Sequence, residues 1–231
     1  MKISIIIPTY CRPRQVHDFT AQLIRTVERF DTEIIVVAEV NENALSLVKA
    51  LPVVTTFHKD WRGSMANWNI GAGMATGDIL ALFSDDLFPL DNWLDKALEQ
   101  MEIAGCCYCG LNDLLGRNGW DSDPTHWIIT RQGIIDHCGG CIMPPAYTMT
   151  YGDNEIAARL RRANQYTWCK QAMVDHRHPS QGKAKTDRGY LNMQRHLDAD
   201  RLIFEARKAL DWPDDFEPVV FPPGGSDAPR G

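Results

Sequence analysis

An α/β fold on a mostly parallel sheet is what this sequence predicts, and three observations predict it. Residues 3–7 and 33–38 are mostly apolar runs rich in β-branched side chains, interrupted only by Ser4 and opened by Glu33, the composition of strands covered on both faces. Between them Val16, Phe19, Leu23, Ile24 and Val27 recur at helical spacing, so the chain opens β-α-β. The alternation then repeats, as expected of helices that cross between parallel strands.

The remaining elements follow from the same periodicities. A second helix is expected over residues 42–51, a short strand over 53–57, a helix over 64–75 and a buried strand over 78–83. Past Pro89, residues 92–104 read as a helix and 106–111 as a strand. Residues 112–151 are less regular, with 127–130 and 133–135 as short strand or helix candidates. A helix returns at 154–163, the basic stretch 174–188 reads as loop, and 190–210 as a final helix. With no repeat and no linker, residues 1–211 are expected to form one domain with a less regular C-terminal half. Residues 212–231, rich in Pro, Asp and Gly, are expected to be a disordered tail.

Composition bounds the function. The chain has 231 residues, of which 44% are hydrophobic, which is ample for a substantial core. A formal charge of -6 leaves no broad basic footprint for nucleic acid, so an anionic ligand must be met by a local cluster of donors. The apolar run at the amino terminus is too short for a signal segment and is cut by Pro8, and no stretch approaches the roughly 18 apolar residues of a membrane span. A soluble, cytoplasmic protein is the expectation. The seven cysteines are an odd set, best read as free thiols; a zinc site built from Cys106, Cys107, Cys109, Cys138 and Cys141 is the less favoured alternative.

Ligands of open α/β sheets bind beyond the carboxyl ends of the strands, which selects Pro8–Arg12, Glu39 and Asp85-Asp86. Two neighbouring acids at a strand end can hold Mg²⁺ or Mn²⁺ through hard oxygen ligands, leaving positions open for water and phosphate. The alternative, a cap for the next helix, is weakened because Asp91 or Asn92 stands in a better place. In an extended segment His176 and His178 face the same way, and an imidazole is a plausible further ligand for Mn²⁺. Arg177, Lys183 and Lys185 add cations for a phosphate beside them. Asp153 and Glu155 open an amphipathic helix, either as its cap and dipole partner or as a general base held at a rigid helix end. Gly71–Gly77 has the wrong glycine spacing for a dinucleotide loop and precedes a strand, and no G-K-[ST] P-loop occurs.

In order along the chain, Ser4–Tyr10, Asn67–Gly71 with Ala75–Leu80, Phe83–Asp86, Gly139-Gly140 with Tyr151–Ile156, and His176–Pro179 resemble the glycosyltransferase family 2 enzymes of the GT-A fold, over roughly residues 3 to 190. The resemblance implies an inverting, metal-dependent transfer of a sugar from a nucleoside-diphosphate sugar to a glycan or other hydroxyl-bearing acceptor. It implies that Pro8, Thr9, Tyr10 and Arg12 wrap the donor nucleotide, that Glu39 contacts the base, and that Asp85 lies near the ribose. Asp86 would hold Mn²⁺ or Mg²⁺ together with His178 or His176, Lys183 would assist the diphosphate, and Asp153, accompanied by Glu155, would be the base. The segment with Trp120, Trp127 and Tyr147 would face the acceptor, with Trp127 itself read as core packing. In this family a third acid is common where Ser84 stands here. A sugar-1-phosphate nucleotidyltransferase, which would want a glycine-rich basic loop after strand one, and a non-catalytic sugar-nucleotide or glycan binder are the competing readings.

Overall fold

The computed structural model describes residues 1–116 and 118–222. Strand β1 (Ile3–Tyr10) leads into helix α1 (Pro13–Val27), then β2 (Thr32–Glu39), β3 (Val54–His58), α2 (Ser64–Met74) and β4 (Ile79–Leu82). A short β5 (Leu87–Pro89), α3 (Trp93–Ala104), β6 (Tyr108–Asn112), β7 (Trp127–Thr130) and α4 (Arg131–His137) follow. Helix α5 (Gly152–Arg162), β8 (Tyr166–His176) and α6 (Arg188–Ala209) complete the order.

One eight-stranded sheet has the order β3-β2-β1-β4-β7-β6-β8-β5. The first four strands are parallel; β7 enters antiparallel beside β4 and β6, β8 is parallel to β6, and β5 closes the edge antiparallel to β8. Burial on both faces explains why the run Ile3–Ile7 of β1 is apolar apart from Ser4, whose hydroxyl donates to Glu33. Ile3, Ile5 and Ile7 pack with Phe19, Leu23 and Trp93 of α1 and α3 on one face, while Ile6 packs with Met65, Trp68, Ile156 and Leu160 of α2 and α5 on the other.

The structure corrects three expectations and adds one strand, β5. Residues 42–51 form two separate 3-10 turns, Glu42–Leu45 and Val48–Ala50, because the segment buries only Ala44, Leu45 and Val48 and Asn41 caps the first turn locally. The acids after β4 are followed at once by β5, which pairs Leu87 with His176. The stretch 174–188 is strand as far as His176, since β8 hides Tyr166–Cys169 against β6 while Lys170 and Gln171 face outward at its bulge. The segment after α6 is packed as far as the description extends. Val219 and Phe221 lie against the core, Val219 donates its N–H to the Gly140 carbonyl, and Asp214 and Asp215 pair with Arg159 and Arg207. The rest of the expected tail, residues 223–231, lies outside the described residues.

Candidate active site

The carboxyl ends of β1, β2 and β4 open on a cavity of about 620 Å³. Three left-handed residues shape its mouth. Cys11 (φ 56°) turns the chain from β1 into α1, Val40 (φ 67°) turns it away from β2, and Tyr151 (φ 68°) starts α5. Such backbone is costly for residues with a side chain, most of all for β-branched Val40, and is held where the surrounding fold dictates it. Gly63 (φ 84°) is dictated more simply: a Cβ there would stand 2.4 Å from the Thr148 carbonyl oxygen.

Pro8, Thr9, Tyr10, Arg12, Glu39, Asp85, Asp86, Asp153, His176 and His178 all line this cavity. Both oxygens of Asp85 are engaged, one by the Thr9 hydroxyl at 2.7 Å and the other by Arg12 Nη1 at 2.6 Å. Arg12 also grips Asp187, at the head of α6, with Nε and Nη2 at 2.7 and 2.8 Å, and its Nη1 lies 3.8 Å from Asp86. Burial works against this guanidinium's charge, but Asp85, Asp187 and Asp86 outweigh it and fix the charged form. Glu39 uses one oxygen to accept the N–H groups of Arg62 (2.7 Å) and Gly63 (3.3 Å), tying the loop after β3 to the end of β2. Trp61 in that loop stacks on His196 of α6 at 4.9 Å.

Asp86 is the most heavily contacted acid of the group. Ser84 donates to its Oδ1, Tyr190 of α6 donates to its Oδ2 at 2.5 Å, and His176 Nε2 stands 3.5 Å from Oδ1. Burial works to raise its pKa, yet His176, Arg12 and Ser84 together hold the carboxyl far below the usual carboxylate range. Two ligands in neighbouring positions around an ion with bonds of about 2.1 Å lie about 3 Å apart, so Asp86 Oδ1 and His176 Nε2 fit one small divalent cation. His176 Nδ1 is buried with no hydrogen-bond partner, a capacity the fold does not use. His178 instead spends its Nδ1 on Ser180, capping the turn Pro179–Gln181. Among the described residues no three His, Cys, Asp or Glu side chains form a ready-made metal cluster. The cysteines are free thiols, and burial pushes Cys107 up to about 11.

Two expected residues are placed elsewhere. Glu155 is fully buried behind α5, where it accepts from Tyr147 (2.7 Å), Arg159 (3.0 and 2.9 Å) and Arg207 (2.8 and 3.0 Å), so all its lone pairs are spent on structure and none faces the cavity. Lys183 pairs with Asp175 at 2.6 Å outside the cavity, because the turn at Pro179–Gln181 carries it away. Of the aromatic residues in the expected acceptor segment, Trp127 is core as read from the sequence, Tyr147 is bound to Glu155, and Trp120 is half exposed but outside the cavity lining. Sequence reasoning missed Tyr190 and Asp187. Asp187 carries only the signal of an N-cap, which it is, accepting from Gly189 and Tyr190 N–H groups. Tyr190 carries none, since a tyrosine early in a helix reads as packing.

A sheet with this order, its acids at the carboxyl ends of β2 and β4 and its helices on both faces, is a GT-A fold. The profile described as Glycosyl transferase family 2 matches residues 4–149, and the chain belongs to that family. Solved structures agree on the fold. The mannosyltransferase PcManGT from Pyrobaculum calidifontis, in complex with GDP-Man and Mn²⁺, is similar with a TM-score of 0.70 at 14% identity, over 94% of this chain and 65% of that one. TarS 1–349 from S. aureus gives 0.63 at 15%, over 75% and 59%. A Drosophila β1,4-galactosyltransferase 7 mutant, in complex with manganese, UDP-Gal and xylobiose, gives 0.54 at 16%, over 81% of each. The chain thus spans about three fifths of the length of the first two. No curated protein matches in sequence. Among the described residues no helix is long and apolar enough to cross a membrane.

Proposed function

We propose that this chain is an inverting glycosyltransferase that moves a sugar from a nucleoside-diphosphate sugar to a hydroxyl of a glycan or similar acceptor. The convergence of Arg12, Asp85, Asp86, His176 and Asp153 on one cavity at the carboxyl edge of the sheet carries the reading. In it, Pro8, Thr9 and Tyr10 wall the nucleoside, and the oxygen of Glu39 not holding Arg62 and Gly63 accepts from the base. Asp85, oriented by Thr9 and Arg12, sits nearest the ribose. Arg12 offers its guanidinium to the diphosphate.

Asp86 and His176 would hold Mn²⁺ or Mg²⁺, with His178 close by, and the bound ion would neutralise charge on the diphosphate as a Lewis acid. The reacting bonds then balance within the chain's own groups. Asp153 accepts the acceptor's hydroxyl proton, the acceptor oxygen forms its bond to the anomeric carbon, and the carbon–oxygen bond to the diphosphate breaks on the opposite face with its electron pair. One displacement inverts the anomeric centre. Asp153 stands in the first turn of α5, whose start is fixed by left-handed Tyr151, so the base rides on a rigid element. The seven free thiols support a reducing, cytoplasmic setting.

The test pairs two variants. Asp86→Ala should abolish metal-dependent transfer with the fold retained by circular dichroism, while Asp153→Asn should bind donor as the parent does in calorimetry and fail to transfer. Normal turnover by Asp86→Ala, or donor binding lost with Asp153→Asn, overturns the assignment.

A further inference from the structure

Asp86 does not stand alone at the end of β4. The Ser84 hydroxyl has one proton and gives it to Asp86 Oδ1, so its oxygen is left to accept from His126 Nε2 at 2.9 Å. On the far side of the ring, Nδ1 lies 2.9 Å from the Thr125 hydroxyl, which itself lies 3.1 Å from Asp113 Oδ2. The line Asp113, Thr125, His126, Ser84, Asp86 is buried at both carboxylates and at the imidazole, and it joins the end of β4 to the loop after β6 and the entry to β7. The backbone secures it, since Leu111 N–H donates to the His126 carbonyl at 2.9 Å. The His126 ring also meets the His176 ring edge-on at 5.0 Å, so the same side chain borders both halves of the Asp86–His176 pair.

Resting on the proposed function above, we propose that Ser84 and His126 are positioning residues for Asp86, holding its Oδ1 at the orientation in which it and His176 share one divalent ion. Where a third acid would add negative charge, this chain uses a neutral hydroxyl whose direction is set from behind by an imidazole. A carboxylate fixed by a donor chain in a buried site needs no reorganisation when a cation arrives, whereas one free to rotate loses that advantage. Neither Ser84 nor His126 has to touch the nucleotide for this role, which separates it from direct binding.

The measurement is the dissociation constant of uridine and guanosine diphosphate, by calorimetry, with and without Mn²⁺. The metal-dependent gain in affinity should be present in the unmodified chain and absent in Asp86→Asn. Ser84→Ala and His126→Leu should each cut that gain about tenfold, the effect of losing one hydrogen bond to a charged group, while leaving metal-free binding unchanged. Ser84→Thr and His126→Gln, which keep the hydroxyl and a donor at the Nε2 position, should restore it. Because the two residues act in series, Ser84→Ala combined with His126→Leu should lose no more than either alone. A gain within about twofold of the parent in Ser84→Ala, a loss below the size of one hydrogen bond, overturns the positioning role while sparing the site. Absence of any Mn²⁺-dependent gain in the unmodified chain overturns the metal reading and the positioning role with it.

Discussion

Replacing Glu155 with glutamine separates a structural acid from a catalytic one. The native carboxylate is fully buried and accepts one hydrogen bond from Tyr147 and two each from Arg159 and Arg207. Glutamine keeps a single acceptor oxygen and turns an NH₂ group toward guanidinium donors, leaving two arginines with no buried countercharge. Their remaining partners, Asp214 and Asp215, are exposed acids on the segment after α6 and compensate little. Breaking a buried ion pair from one side costs about 3–5 kcal/mol. For a chain of this size each kcal/mol lowers the melting temperature by about 2–4 °C, so Glu155→Gln should melt about 6–20 °C below the parent. Differential scanning calorimetry gives the shift, and turnover per folded molecule, measured well below the variant's melting point, should stay near that of the parent. A melting point within about 2 °C of the parent, too small for a broken buried pair, together with lost turnover, would refute the structural assignment and return Glu155 to the chemistry.

Asp187→Asn removes the charge that occupies Arg12 while keeping a good helix cap, so it should tighten binding of nucleoside diphosphate in calorimetry; unchanged or weaker binding would show that the carboxylate does not compete with the ligand. Glu33, gripped by Ser4, Lys2 and the Thr76 N–H, has its pKa lowered from 4.5 because those hydrogen bonds outweigh its burial. With the folded value depressed, its contribution is present above 4.5 and is lost as the pH falls through the lower native value. Denaturation of the parent and of Glu33→Gln across pH 3–7 should show a stability gap at neutral pH that closes in acid, and a gap independent of pH would contradict the linkage.

The N-terminal half was legible because parallel strands announce themselves as apolar runs, and cavity-lining residues follow from where those runs stop. That logic reached Thr9, Arg12, Asp85 and Asp86. It failed where a residue's partner lies far along the chain. Glu155 and Asp153 are two positions apart at one helix start, and only Arg159 one turn further along α5 and Arg207 on α6 decide that one acid is buried while the other faces the cavity. The same holds for β8, whose central Lys170 and Gln171 hide a strand that the bulge makes possible. Nothing local to His126 reveals that a serine just beyond the end of β4 points at it.

Arg12 and Asp187 are separated by 175 residues, and the family match ends at residue 149. During synthesis at about 5–20 residues per second, the arginine emerges roughly 9–35 seconds before its partner does. The parallel platform can therefore assemble while its cationic loop is still uncovered, since the helix that supplies Asp187 and Tyr190 follows every strand of the sheet. A nascent chain that has reached β8 but not α6 is expected to carry a formed sheet with Arg12 not yet paired to Asp187.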